Sequence, residues 1–158
     1  MTQKKSITIP LEFRFFSEPT AIICLNHDRA KVYEATSDTL REIDFLHTSD
    51  TDFQYSDKES FSHAEGSSSI FFKPGTEEHN KEHYIRVFLN YFAKKLQNLD
   101  QERSFHDIYL FLPGDVKNIV SEKLLHPVQE KTHVILGNVI HEHPLELLKR
   151  IAVQNESV

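Results

Sequence analysis

The sequence predicts a single α/β domain, and three observations predict it. Short apolar runs separated by turn residues fill the first third, one long helical stripe follows, and apolar runs then alternate with further helical stripes. The chain has 158 residues, 39% of them hydrophobic, which is the size of one domain and enough to bury a core.

After a polar start, Ile7, Ile9, Leu11, Phe13 and Phe15 alternate with other residues, the period of a strand with one buried face. Pro10 assigns this stretch to a sheet edge or an extended arm, so residues 1–19 are read as an N-terminal extension or edge strand. The domain proper is expected at 20–153, with 154–158 as a tail. An apolar run at 21–25 breaks at Asn26-His27-Asp28, where Asn and Asp suit a turn, and resumes at 30–33, which predicts a hairpin. A third strand is expected at about 40–46, with Ile43 and Phe45 on one face. These strands form an antiparallel meander.

A long acidic loop is expected at about 47–77. Between Asp44 and Glu65 six acids stand against Lys58, a balance of −5 out of the chain's −6. So long a loop in a compact domain is functional or disordered, and His63, Gly66 and Ser67 are its candidate functional residues. Its charge repels phosphates, which argues against nucleic-acid binding through it.

From Glu78 the period becomes helical. Ile85, Phe88, Leu89, Phe92, Leu96 and Leu99 form one stripe, and the opposite side carries Arg86, Asn90, Lys94 and Gln97, with Lys95 nearby. The run at 106–112, ending at Pro113-Gly114, reads as a strand buried on both faces. Asp115 is placed to cap a helix bearing Val116, Ile119, Val120 and Leu124 on one face, which His126-Pro127 ends. Another buried strand is expected at 132–136. A closing helix starts at Pro144, with Leu145, Leu148 and Ile151 on one face. Strands joined through crossover helices lie parallel. A three-strand antiparallel meander followed by two parallel αβ units and a C-terminal helix is the connectivity of ribonuclease H-like folds, with helices on both faces of a mixed sheet.

Several functional classes are excluded. The four glycines are too far apart for a Walker A loop or a GxGxxG turn, and no GxSxG is present. The single cysteine, Cys24, cannot form an internal disulfide and falls in a core strand. With no basic segment leading into an apolar run at the start, and no stretch of roughly 18 apolar residues, a cytoplasmic protein without membrane insertion is expected. A two-cation nuclease needs converging carboxylates, beginning with one inside the first strand of the hairpin, and that strand has none. Asp28, Asp107 and Glu142 are too dispersed to replace them. His141-Glu142-His143 is the densest group of possible metal ligands and reads as a polar loop before the last helix. No catalytic residue, metal or cofactor is therefore assigned.

The segment Ala21-Ile22-Ile23-Cys24-Leu25-Asn26-His27-Asp28-Arg29-Ala30-Lys31-Val32-Tyr33-Glu34 resembles the opening hairpin of the bacterial family called "protein required for attachment to host cells". Phe105-His106-Asp107-Ile108-Tyr109-Leu110-Phe111-Leu112-Pro113, and the stretch from His133 to Ile140 leading into His143-Pro144, are similar to its second half. The resemblance covers most of 20–153. That family is considered related to the middle domain of archaeal and eukaryotic class-I peptide release factors and of Pelota, which implies a ribonuclease H-like domain associated with the ribosome or tRNA. The family's Asp-Gly turn is Asn26-His27 here, making Asn26, His27 and Asp28 the first-turn candidates. Release factors carry Gly-Gly-Gln in the long loop; this chain has no Gly-Gly pair, so peptidyl-tRNA hydrolysis by that route is not expected. Arg86, Lys94 and Lys95 are the candidate phosphate contacts. The alternative is a protein-interaction module or small homo-oligomer, acting indirectly in attachment, with the apolar arm at 7–15 as an edge that invites strand addition.

Overall fold

The structure, a computed structural model, describes residues 5–51 and 76–156, with the side chains of 76–80 left aside. The strands are β1 (Ser6–Thr8), β2 (Thr20–Leu25), β3 (Arg29–Ala35), β4 (Thr39–His47), β5 (Asp107–Leu112) and β6 (Thr132–Leu136). The helices are α1 (Thr76–Arg103), α2 (Gly114–Lys123), α3 (His126–Glu130) and α4 (Pro144–Glu156).

The strands form one sheet in the order β1-β4-β3-β2-β5-β6. The meander β2-β3-β4 is antiparallel, whereas β5 lies parallel to β2 and β6 parallel to β5. This is the ribonuclease H-like arrangement that the order of elements predicts. All six residues of β2 are buried, because the strand sits mid-sheet with a layer on each face.

Alternate residues of β2 and β5 feed two cores. On one face Ala21, Ile23, Leu25, Ile108 and Leu110 meet Phe88, Leu89, Phe92 and Leu96 of α1 and Val116 and Val120 of α2. On the other, Ile22, Cys24, Tyr109 and Phe111 meet Leu147, Leu148 and Ile151 of α4. The Cys24 thiol is pushed up to about 12 by burial, which outweighs the favourable charge of Lys31; Glu142 pushes the same way as burial. It is a core residue and not a thiolate nucleophile.

The structure changes several expectations. The strand predicted through Phe15 ends at Thr8, and after Pro10 the chain makes a 3-10 turn over Leu11–Phe13. Ile9 and Phe16 are buried in the second core, so the arm folds back onto its own domain instead of standing free. Its three-residue strand β1 does lie at a sheet edge, against β4. Ile43 and Phe45 do not share a face: a bulge in β4 opposite Val32/Tyr33 shifts the phase, so Ile43 is buried and Phe45 is 44% exposed. The β6 strand is an edge strand and only half-buried, with Leu136 exposed, because among the described residues no strand lies beyond it. The second crossover holds two helices, since extended Leu124 and Leu125 interrupt it before α3 begins at His126, with Pro127 in its first turn. Asp115 makes no cap; Pro113 holds that position. The last helix runs to Glu156, into the expected tail. Among the described residues, no helix is long and apolar enough to cross a membrane.

Candidate functional site

The β2–β3 turn is built by one side chain. Asn26 Oδ1 accepts the N–H groups of Asp28 (3.0 Å) and Arg29 (2.8 Å), while the Asn26 N–H donates to the Arg29 carbonyl at 2.9 Å. No residue of the turn has a left-handed φ, so this Asx turn does without the glycine of the Asp-Gly pattern. The N–H and hydroxyl of Thr48 both donate to the Asp28 carbonyl, at 2.8 and 3.1 Å, fixing the turn to the end of β4.

His27, at the tip, reaches across the end of the sheet. Its Nε2 lies 2.7 Å from Asp115 Oδ2 in the first turn of α2. Beneath this pair is a cleft of about 260 Å³ between the turn, α1 and α2. Ile85, Val116 and Ile119 give it an apolar wall, and His27, Glu82, Arg86 and Asp115 give it a polar rim. The cleft lies beyond the carboxyl ends of β2 and β5. From β2 the sheet continues to β3 on one side and to β5 and β6 on the other, which makes this the switch point where open α/β sheets bind ligands. Mixed charge over an apolar floor suits a small group with its own donors and acceptors.

Of the expected site residues, His27 and Arg86 meet at this cleft. Lys94 and Lys95 do not. They stand about 12 Å and 13 Å further along α1 at 1.5 Å per residue, with Lys94 on its solvent-facing crest. Lys95 is on the opposite flank from Arg86, its ammonium 5.7 Å from the Tyr91 ring centre. The Tyr91 hydroxyl donates to Asp50 Oδ2 at 3.4 Å, and burial together with the Asp50 charge pushes the phenol up to about 12. His63, Gly66 and Ser67 lie outside the described residues. Asp115 and Glu82 were not singled out as site residues in the sequence. The usable signal was Pro113-Gly114-Asp115 directly after a buried parallel strand, because such a junction delivers a helix start to the switch point.

The dispersed carboxylates stay dispersed. Asp28 follows the carboxyl end of β2, whereas Asp107 pairs with Thr20 at the other end of the same strand pair, roughly 16 Å away at 3.3 Å per residue. Both carboxylate oxygens of Glu142 accept from Arg150, at 2.8 and 2.9 Å. His143 Nδ1 accepts the Leu145 N–H at 3.1 Å, which ties this polar loop to the start of α4.

No family model matches the chain, and no curated protein matches it in sequence. Solved structures with a similar course of chain include the archaeal translation termination factor aRF1, at 14% identity and a TM-score of 0.47 over 88% of this chain and 39% of that one. A structure described as an archaeal protein matches at 13% identity and a TM-score of 0.46 over 88% and 38%. Dom34 of S. cerevisiae, a translation termination-like factor involved in RNA quality control pathways and interacting with Hbs1, matches at 16% identity and a TM-score of 0.40 over 87% and 38%. The chain spans less than two fifths of the length of these structures. The likeness is one of fold.

At the other end of the sheet Asp107 gathers two histidines: Oδ2 is 2.9 Å from His106 Nδ1 and Oδ1 is 3.0 Å from His133 Nε2. Glu18 Oε2 lies 3.1 Å from the other nitrogen of His106. The hydrogen bond to Asp107, then the charges of Glu18 and Asp107, raise the His106 pKa above 6.5. Burial pushes the Asp107 carboxyl up, but the hydrogen bonds from His133 and His106 outweigh it and hold the carboxyl below 3.8. The His106 contribution to stability is therefore complete below its unfolded value and lost as pH rises through the raised folded one. The Asp107 contribution is present above its unfolded value and lost as pH falls through the depressed one. An NMR titration of the His106 ring should give a midpoint above 6.5, falling back in Asp107→Asn. A midpoint at or below the ordinary value would refute the arrangement.

Proposed function

We propose that this domain is a release-factor-like docking module of the translation machinery, binding a ribosomal or tRNA surface through the exposed side of α1 without carrying out hydrolysis. The observation that carries this reading is the crest of α1, a helix of 28 residues whose Arg86 and Lys94 are exposed and form no ion pair among the described residues. Lys95 flanks them, and the crest leads to the cleft at the switch point. Phosphates repelled by the acidic segment after β4 find these cations on a surface that the core leaves open. The hairpin and β5 resemblance supports the translation assignment, and the missing Gly-Gly pair supports docking without release chemistry.

The test is sedimentation of the tagged protein from its own cell lysate on sucrose gradients at two salt concentrations. A peak with subunits or monosomes is expected, and three phosphate contacts should weaken it on the order of 10- to 40-fold between about 50 and 200 mM salt. The triple variant Arg86→Glu, Lys94→Glu, Lys95→Glu should move to the top of the gradient. Wild-type protein confined to the top at both salt concentrations, in growth and in starvation, would overturn the reading.

A further inference from the structure

The two edges of the sheet differ. β1 is three residues long and Pro10 follows it, the kind of short, proline-flanked edge that resists strand addition. β6 is five residues long, Thr-His-Val-Ile-Leu, and carries no lysine, acid, proline or bulge. Its ladder to β5 is bracketed by the Ile108 N–H donating to the Lys131 carbonyl and the Gly137 N–H donating to the Leu112 carbonyl, both at 2.8 Å. In a parallel pair this turns the backbone groups of His133 and Ile135 toward β5. Those of Thr132, Val134 and Leu136 therefore point out of the sheet, where no strand lies among the described residues.

The same three side chains share the face that α1 and α2 cover. Beside Thr132 and Val134 a groove of about 240 Å³ opens between β6 and the end of α2, with Val120, Leu124 and Gln129 on its far side. Leu136, the next residue of this face, is 58% exposed. One edge thus carries an apolar groove at its start and an exposed apolar side chain at its end.

We propose that β6 pairs antiparallel with β6 of a second copy of this chain, about a two-fold axis at Val134, joining two sheets into one. This register sets Val134 opposite Val134, and Leu136 of each copy opposite Thr132 of the other. All the outward backbone groups then bond to one another. Residues opposite each other share a face, so Leu136 of one copy enters beside Thr132 at the groove of the other. A second copy fits because the edge is its own complement: Val134 and Leu136 are the apolar residues that the groove meets. Charge fits as well. β6 has no Asp, Glu, Lys or Arg, and Lys131, which meets Gly137 of the second copy, is already held by Asp100 at 2.6 Å. A five-residue seam is small beside the roughly 1,200–2,000 Å² of stable interfaces, so the dimer is weak, with a dissociation constant on the order of 10–100 µM. It is separate from the α1 crest and forms whether or not the protein travels with ribosomes.

Sedimentation velocity of the purified full chain from about 5 to 500 µM tests it, with a shift from monomer to dimer expected over that range. Leu136→Lys should weaken association about tenfold or more, because it puts a charge on the edge. Since Leu136 is exposed, the circular dichroism and urea midpoint of that variant should match wild type. Under mild oxidation Val134→Cys should give a disulfide-linked dimer, because residue 134 meets itself on the axis with Cα atoms about 5.5 Å apart. Leu136→Cys, facing Thr132, should not crosslink, and the native Cys24 is buried. A monomer at every concentration would overturn the proposal, and so would a species larger than a dimer. Wild-type association in Leu136→Lys, or crosslinking as complete in Leu136→Cys as in Val134→Cys, would do the same.

Discussion

Phe92→Ala should remove about 3–5 kcal/mol of folding stability, the largest single loss expected of any substitution in α1. The ring has no exposed surface and sits in the middle of the stripe that closes the first core. Phe88 and Leu89 precede it by one turn and Leu96 follows by one, all fully buried or nearly so, so no neighbour can swing in to fill the space. The loss therefore includes both the transfer of the ring to water and the cavity it leaves. Since domains of this kind have only about 5–15 kcal/mol of stability in total, the variant would approach its folding limit. Urea denaturation would show the midpoint falling by roughly 2 M with little change in slope. Phe92→Leu should lose much less, and Lys94→Ala, on the crest two residues on, under ~0.5 kcal/mol. A Phe92→Ala loss as small as the Lys94 one would mean that α1 is not packed on the sheet as described.

The same stripe shows what can be read from a sequence and what cannot. A pure period survives inspection: the α1 stripe and the hairpin around Asn26 follow from local spacing and local turn chemistry, and the order of strands and crossovers then fixes the sheet by connectivity. A bulge is different. One extra residue in β4 changes the phase of every side chain after it, and no residue type near Ile43 announces the insertion, so Ile43 and Phe45 read as sharing one face when the bulge puts them on opposite ones. β6 misled for another reason. Its apolar composition suits an interior strand, and its place at the end of the strand order of the described residues makes it an edge. The expected strand through Phe15 failed because Pro10 does more than deny a ladder bond: its φ of −55° leads directly into the 3-10 turn that brings the chain back over the sheet. At the cleft, the turn residues were legible because Asn26 bonds to its own neighbours. The pairing of His27 with Asp115 was not, since it joins side chains 88 positions apart that only the sheet order brings together.

Glu34→Ala should cost about 2 kcal/mol, the second-largest effect expected, although it removes no apolar contact. Glu34 is a strand residue whose side chain is only 12% exposed, and its Oε1 takes two guanidinium groups: Arg103 of α1 at 2.9 Å and Arg41 of β4 at 3.3 Å. One carboxylate thus fastens the end of the long helix to two strands. Its removal leaves Arg103, at 30% exposure, facing a partly desolvated space without an anion, whereas Arg41, at 47%, can turn to water. The two pairs should therefore be unequal. A double-mutant cycle should give about 1 kcal/mol of coupling for Glu34 with Arg103 and under ~0.5 for Glu34 with Arg41. The melting temperature of Glu34→Ala should fall by about 4–8 °C, and Glu34→Gln, which keeps an acceptor without the charge, should fall between it and wild type. Because the stronger pair is partly shielded, most of the loss should persist in high salt. Equal couplings, or a loss that vanishes on adding salt, would show that both pairs are ordinary surface contacts and that α1 is held at this end by its apolar packing and the Asp100–Lys131 pair.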